Sequence, residues 1–117
     1  LKNEVNAPAT CGVLIRQQVF AKIGGFEPSF RGLFEDRAFF AKVYLKIPVY
    51  ASDECWDRYR QHPESTCNVE QKTGKYNPFK DSEPHHNFLK WIEGYLAQEK
   101  VEDPDLWQAL QIGLLPY

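Results

Sequence analysis

Two adjacent carboxylates, Glu35 and Asp36, open a run that is otherwise largely apolar, "FRGLFEDRAFF" at residues 30–40. A carboxylate costs free energy wherever its charge leaves water, so the pair needs a reason to stand there. One reason is chemical. A partly desolvated Asp36 with raised proton affinity is suited to act as a general base. The other reason is local, because the first turn of a helix favours negative charge. Spacing alone leaves both open.

A second cluster is "DRYRQH", Asp57 to His62. If the stretch is extended, Arg58, Arg60 and His62 share one face. Two guanidiniums and an imidazole on one side suit a diphosphate, and the imidazole is also a potential ligand for a divalent metal. The plainer alternative is a solvated edge, with Arg58 or Arg60 paired to Asp57 or Glu54. His85 and His86 are neighbours, so on a helix their side chains diverge and they form no metal pair. An exposed helix start is expected there. Trp91 and Tyr95, four residues apart, read as a packing stripe rather than a sugar platform. The three cysteines, Cys11, Cys55 and Cys67, are widely spaced and form no CxxC pair. That pattern argues against a disulfide framework or a zinc site. Reduced thiols in a cytosolic setting are expected, with a Cys55–Cys67 bridge as the alternative.

These groups need elements to hold them. "CGVLIR" (Cys11–Arg16) is a short apolar run with β-branched residues and reads as a buried strand. Val19, Phe20 and Ile23 follow at helical spacing, and Gly24-Gly25 stops that helix. Phe26 returns to the core, and "EPSFRG" is a loop. A second helix runs from Glu35 to about Leu45. Its apolar residues cover so much of its circumference that it must pack on more than one side. Helix phase puts Asp36 with Phe40 and Val43, towards the interior, and Glu35 on the Lys42 stripe, closer to solvent. "IPVYAS" reads as a strand entered through Pro48. The stretch around Trp56–Tyr59 is irregular or a short strand, and "CNVEQKTGKYNPFK" is a flexible connection. Asp81, Ser82 and Pro84 start a helix with a Leu89, Ile92, Leu96 stripe. Asp103 caps a last helix with Pro104 at its first position.

The totals set bounds. A chain of 117 residues holds one domain with a modest core. A net charge of −2 argues against nonspecific nucleic-acid binding, which needs a basic face. No apolar run has the length of a membrane span, and no signal-peptide pattern opens the chain. The opening "LKNEVNAPAT" lacks an initiator Met, which points to an excised fragment or a processed chain.

In order, "CGVLIRQQVFAKIGGF", "FRGLFEDRAFFAKVYLKIPVY" and "DRYRQHPES" resemble the second half of an inverting family 2 glycosyltransferase. The resemblance covers roughly Pro8 to Ser65. It rests on a small strand, "IGGF", a loop, an "ED" pair opening a helix, a strand and an arginine-rich "YRQH" loop. It implies the GT-A fold, an α/β architecture in which a few strands pack with helices. On this reading residues 1–70 are the acceptor-side half of such a domain, and 71–117 are a linker and a C-terminal helical extension.

The resemblance also implies roles. Asp36 matches the general base that deprotonates the acceptor hydroxyl, and Glu35 matches an acceptor-site residue beside it. Cys11 and Gly12 match a backbone segment near the acceptor pocket, where a small residue permits close approach. Arg58, Arg60 and His62 fall where the family places groups near the diphosphate and metal. The implied partners are a nucleotide-diphosphate sugar and a sugar or glycoconjugate acceptor, at the cytosolic face. The family's nucleotide-binding βαβ units and its DXD-type acidic motif are not found here. "DPD" at Asp103–Asp105 comes in the wrong order and reads as a cap. A divalent Mg or Mn ion is therefore expected in the full-length enzyme and not in this segment alone. The isolated chain is expected to be inactive, and to dimerise or exchange segments through the apolar sheet surface and unpaired edge that the other half would cover. The alternative is a non-catalytic binding or assembly module on the same scaffold.

Overall fold

The computed structural model describes residues 8–77 and 82–117. They form five α-helices: α1 (Gln17–Ile23), α2 (Glu35–Lys46), α3 (Thr66–Lys72), α4 (Glu83–Gln98) and α5 (Pro104–Leu114). A single 3₁₀ turn, Thr10–Gly12, precedes them. Contacts divide the chain into two units, Lys2–His62 and essentially Pro63–Tyr117.

The expected α/β architecture is overturned, since no strand occurs among the described residues. The reason is visible in the two segments read as strands. After the 3₁₀ turn, Val13 and Ile15 pack against the core while Leu14 is fully exposed. Val13 and the helix-leading Arg16 both have extended backbone. The alternation of a strand is present, but no described residue pairs with it in a ladder, and a strand exists only through its ladder. Ile47 is likewise extended and packs on the core, whereas Val49 and Tyr50 are exposed.

The first unit is built on α2. Ala38 and Phe39 are wholly buried, and Phe40, Val43 and Ile23 complete the core with Val13, Ile15, Val19 and Ile47 around it. Phe39 stacks against Phe26 at 4.6 Å and Phe20 at 5.3 Å, and meets Phe40 edge-on at 5.8 Å. Apolar burial of this kind drives the packing of α1 on α2. Gly24 closes α1 at φ 74°, donating its N–H to the Phe20 carbonyl. That left-handed region favours glycine.

Lys42 corrects the helix-phase expectation. Its side chain is 5% exposed, and its Nζ donates to the Gly25 carbonyl at 2.6 Å and to Glu27 Oε1. The stripe shared by Glu35 and Lys42 therefore faces inward, and its charge is compensated by the loop after α1.

In the second unit, α4 and α5 pack together around Leu96 and Leu110. At Gly113 an added Cβ would stand 3.4 Å from a Leu89 methyl, so the helices approach closely. Asp103 caps α5 by accepting from Asp105 N at 2.9 Å and Leu106 N at 3.4 Å, as its sequence position implies. Trp91 and Tyr95 stack at 5.1 Å along α4. α3 falls where a flexible connection is expected. Ser65 starts it by accepting from Asn68 N. Asp81, expected to help start α4, lies outside the described residues.

Candidate functional site

The acid pair sits at the first two positions of α2, and the backbone enters it under strain. Phe34, the residue before, holds φ 65° and ψ 3°. A bulky L-residue in that region costs about 1–2 kcal/mol. Burial compensates, because the Phe34 ring is 6% exposed and the Arg37 guanidinium lies over it at 5.3 Å from the centroid. The helix start is thus held in one orientation, and with it both carboxylates.

Their environments differ from the sequence expectation. Both residues are half-buried. Asp36 Oδ1 accepts from the adjacent Arg37 N at 2.7 Å. Glu35 Oε2 is shut off from solvent and has no hydrogen-bond partner among the described residues. Glu35 is therefore not the solvent-side acid of the pair. A buried acceptor without a donor is costly and calls for an explanation. One explanation is a hydroxyl donor supplied by a ligand.

A second arrangement joins two motif segments far apart in sequence. Cys11 Sγ donates to Asp57 Oδ2 at 3.1 Å. Next to it, a Cβ on Gly12 would meet Asp57 Oδ1 at 3.2 Å, so the carboxylate rests against the glycine itself. The bond and the nearby negative charge of Asp57 hold the Cys11 thiol above its ordinary pKa. Cys55 Sγ contacts the Asp57 carbonyl at 3.5 Å. Ser52 shapes the same loop, its Oγ accepting from Glu54 N at 3.2 Å and Trp56 Nε1 at 3.1 Å.

Of the predicted site residues, Cys11 and Gly12 are brought to the beginning of the "DRYRQH" segment. Arg58 and Arg60 are exposed, and no ion pair among the described residues engages them. Asp57, one expected partner for them, is turned to Cys11 instead. No hydrogen bond or ion pair among the described residues links Glu35 or Asp36 with Cys11, Arg58 or Arg60. His62 is exposed, and no group of three or more His, Cys, Asp and Glu side chains among the described residues could hold a metal ion.

The histidines of α4 differ from the exposed helix start expected of them. His85 and His86 are half-buried. His85 Nδ1 lies 3.0 Å from the Tyr117 hydroxyl, and His86 stacks on the Tyr117 ring at 4.4 Å. The same hydroxyl receives Ser82 N at 3.0 Å and faces Ser82 O at 3.2 Å. This cluster ties the chain's last residue to the start of α4 and is structural. Sequence reasoning missed the pairing of Asp57 with Cys11. No local pattern signals it, because the two residues lie 46 positions apart in the sequence.

Comparison with known protein families, with characterised proteins and with solved structures finds no match to this chain.

Proposed function

We propose that this chain is the acceptor-side half of an inverting glycosyltransferase that uses a nucleotide-diphosphate sugar, working at the cytosolic face of glycoconjugate or polysaccharide synthesis. The observation that carries the reading is the acid pair at the strained start of α2. Glu35 there keeps a buried carboxylate oxygen without a donor. An acceptor sugar supplies the missing donor as a hydroxyl.

The chemistry follows from the residue types. The acceptor oxygen attacks the anomeric carbon as the bond from that carbon to the diphosphate breaks. Asp36 takes the hydroxyl proton, Glu35 holds a neighbouring hydroxyl, and Arg58 and Arg60 meet the charge of the departing diphosphate. Cys11 and Gly12, seated on Asp57, fix the backbone beside that arginine segment. The divalent ion expected in the full-length enzyme would be held by the nucleotide-binding half, where it would screen the charge of the diphosphate. The donor's nucleotide is bound by a half not found in these 117 residues.

The second reading, a non-catalytic binding module, draws on the exposed aromatics Tyr50, Trp56 and Tyr59. One experiment separates the two. The segment, joined to a nucleotide-binding half in its full-length enzyme, is incubated with a panel of nucleotide sugars and sugar acceptors. Release of nucleoside diphosphate and formation of a product of inverted anomeric configuration are measured. Transfer with inversion is expected. Tight acceptor binding without any transfer across the panel would favour the binding module and overturn the proposal.

A further inference from the structure

Two of the three thiols converge on one residue. Cys11 donates to the Asp57 side chain at 3.1 Å, and Cys55 contacts the Asp57 main-chain carbonyl at 3.5 Å. Both cysteines are free and exposed. They come from opposite ends of the first unit, so a bond between them encloses α1 and α2 in one covalent loop. The segment that would be pinned is the one leading directly into Arg58 and Arg60.

We propose that Cys11 and Cys55 are a redox-responsive pair that closes to a reversible intramolecular disulfide across Asp57. The oxidant is a small-molecule disulfide such as oxidised glutathione. Cys55, as thiolate, attacks one sulfur of that disulfide and expels a thiolate, leaving a mixed disulfide on Cys55. Cys11 then loses its proton, leaves Asp57 and attacks Cys55 Sγ. The second glutathione departs as thiolate. Two protein thiols are oxidised to one disulfide, and one glutathione disulfide is reduced to two glutathione thiols. Asp57 sets the pace of the second step. While its carboxylate accepts the Cys11 S–H, that thiol is kept protonated and slow to attack. Asp57 thus acts as a brake that keeps the pair open under mild conditions. This inference does not depend on the glycosyltransferase reading and can be tested on the chain alone.

The test is oxidation of the 117-residue chain with oxidised glutathione, followed by alkylation, trypsin digestion and mass spectrometry. The three cysteines fall in separate tryptic peptides, residues 3–16, 47–58 and 61–72. The expected product is a monomer in which peptide 3–16 is joined to 47–58 and Cys67 remains alkylated. The link is expected to vanish in Cys11→Ser and in Cys55→Ser. Asp57→Asn keeps an acceptor oxygen but removes the charge, and should form the link several-fold faster. Pairing of either cysteine with Cys67, an intermolecular dimer, or a mixed glutathione disulfide that never resolves would overturn the proposal. A link that forms no faster in Asp57→Asn would overturn the role given to Asp57.

Discussion

Cys11 and Lys42 show how single side chains in this molecule depend on one partner each. The Cys11 thiol is favoured in its protonated form by the Asp57 carboxylate, which raises its pKa. The thiol–carboxylate bond is intact below the ordinary thiol range and is lost as pH rises through the elevated value. Iodoacetamide alkylation of Cys11 should therefore begin at higher pH than for an unperturbed thiol, and Asp57→Asn should move the profile to lower pH. An unchanged profile in the variant would contradict this cause. Lys42 is a buried cation held by Glu27 and the Gly25 carbonyl. Glu27→Gln leaves that cation without a counter-charge. Glu27 is about a quarter exposed, so the cost falls below that of a fully buried pair, at about 1–3 kcal/mol by chemical denaturation.

Among the elements, α2 carries the first unit, and Phe39 is its centre. Phe39→Ala should cost about 3–5 kcal/mol, because the ring is wholly buried, stacks on Phe20 and Phe26, and would leave a cavity on removal. A loss under 1 kcal/mol in a denaturant titration would show that this core is not the organising one. The helices themselves were largely legible in the sequence. Gly24, Asp103 and Pro104 mark their ends by local chemistry, α4 carries an apolar stripe, and α2 is a long run that is apolar around most of its circumference. The strands were not, for a physical reason. Val13, Leu14 and Ile15 alternate as a strand would, but pairing is a non-local property that six residues do not encode. α3 escaped because two polar turns carry no apolar stripe, and only the Ser65 cap signals it. In the candidate site the Glu35-Asp36 pair was legible as a unit. Its inner and outer members were not, because the burial of Lys42 depends on Glu27 and Gly25 in a loop that helix phase cannot see.

At the level of the whole molecule, the first unit leaves Leu14, Tyr50, Trp56 and Tyr59 exposed. The sheet edge expected to drive self-association is absent among the described residues, which leaves this apolar surface as its cause. Sedimentation of the isolated chain should show association that grows with concentration, and Tyr50→Ser with Trp56→Ser should weaken it. A monomer at every concentration would count against a surface that another half covers. No helix among the described residues is long and apolar enough to cross a membrane.

On the proposed function, the acid pair at the start of α2 performs proton transfer and acceptor binding, with Asp36 as the base. The most direct measurement is turnover and donor affinity for Asp36→Asn and Glu35→Gln in the proposed full-length enzyme. Asp36→Asn should lower turnover by about 10²–10⁴-fold with donor affinity unchanged. Glu35→Gln, which keeps a hydrogen-bond acceptor at the buried position, should mainly raise the acceptor KM. Near-normal turnover in Asp36→Asn, or a larger loss of turnover in Glu35→Gln, would rule out Asp36 as the base and return it to a role in helix-dipole stabilisation.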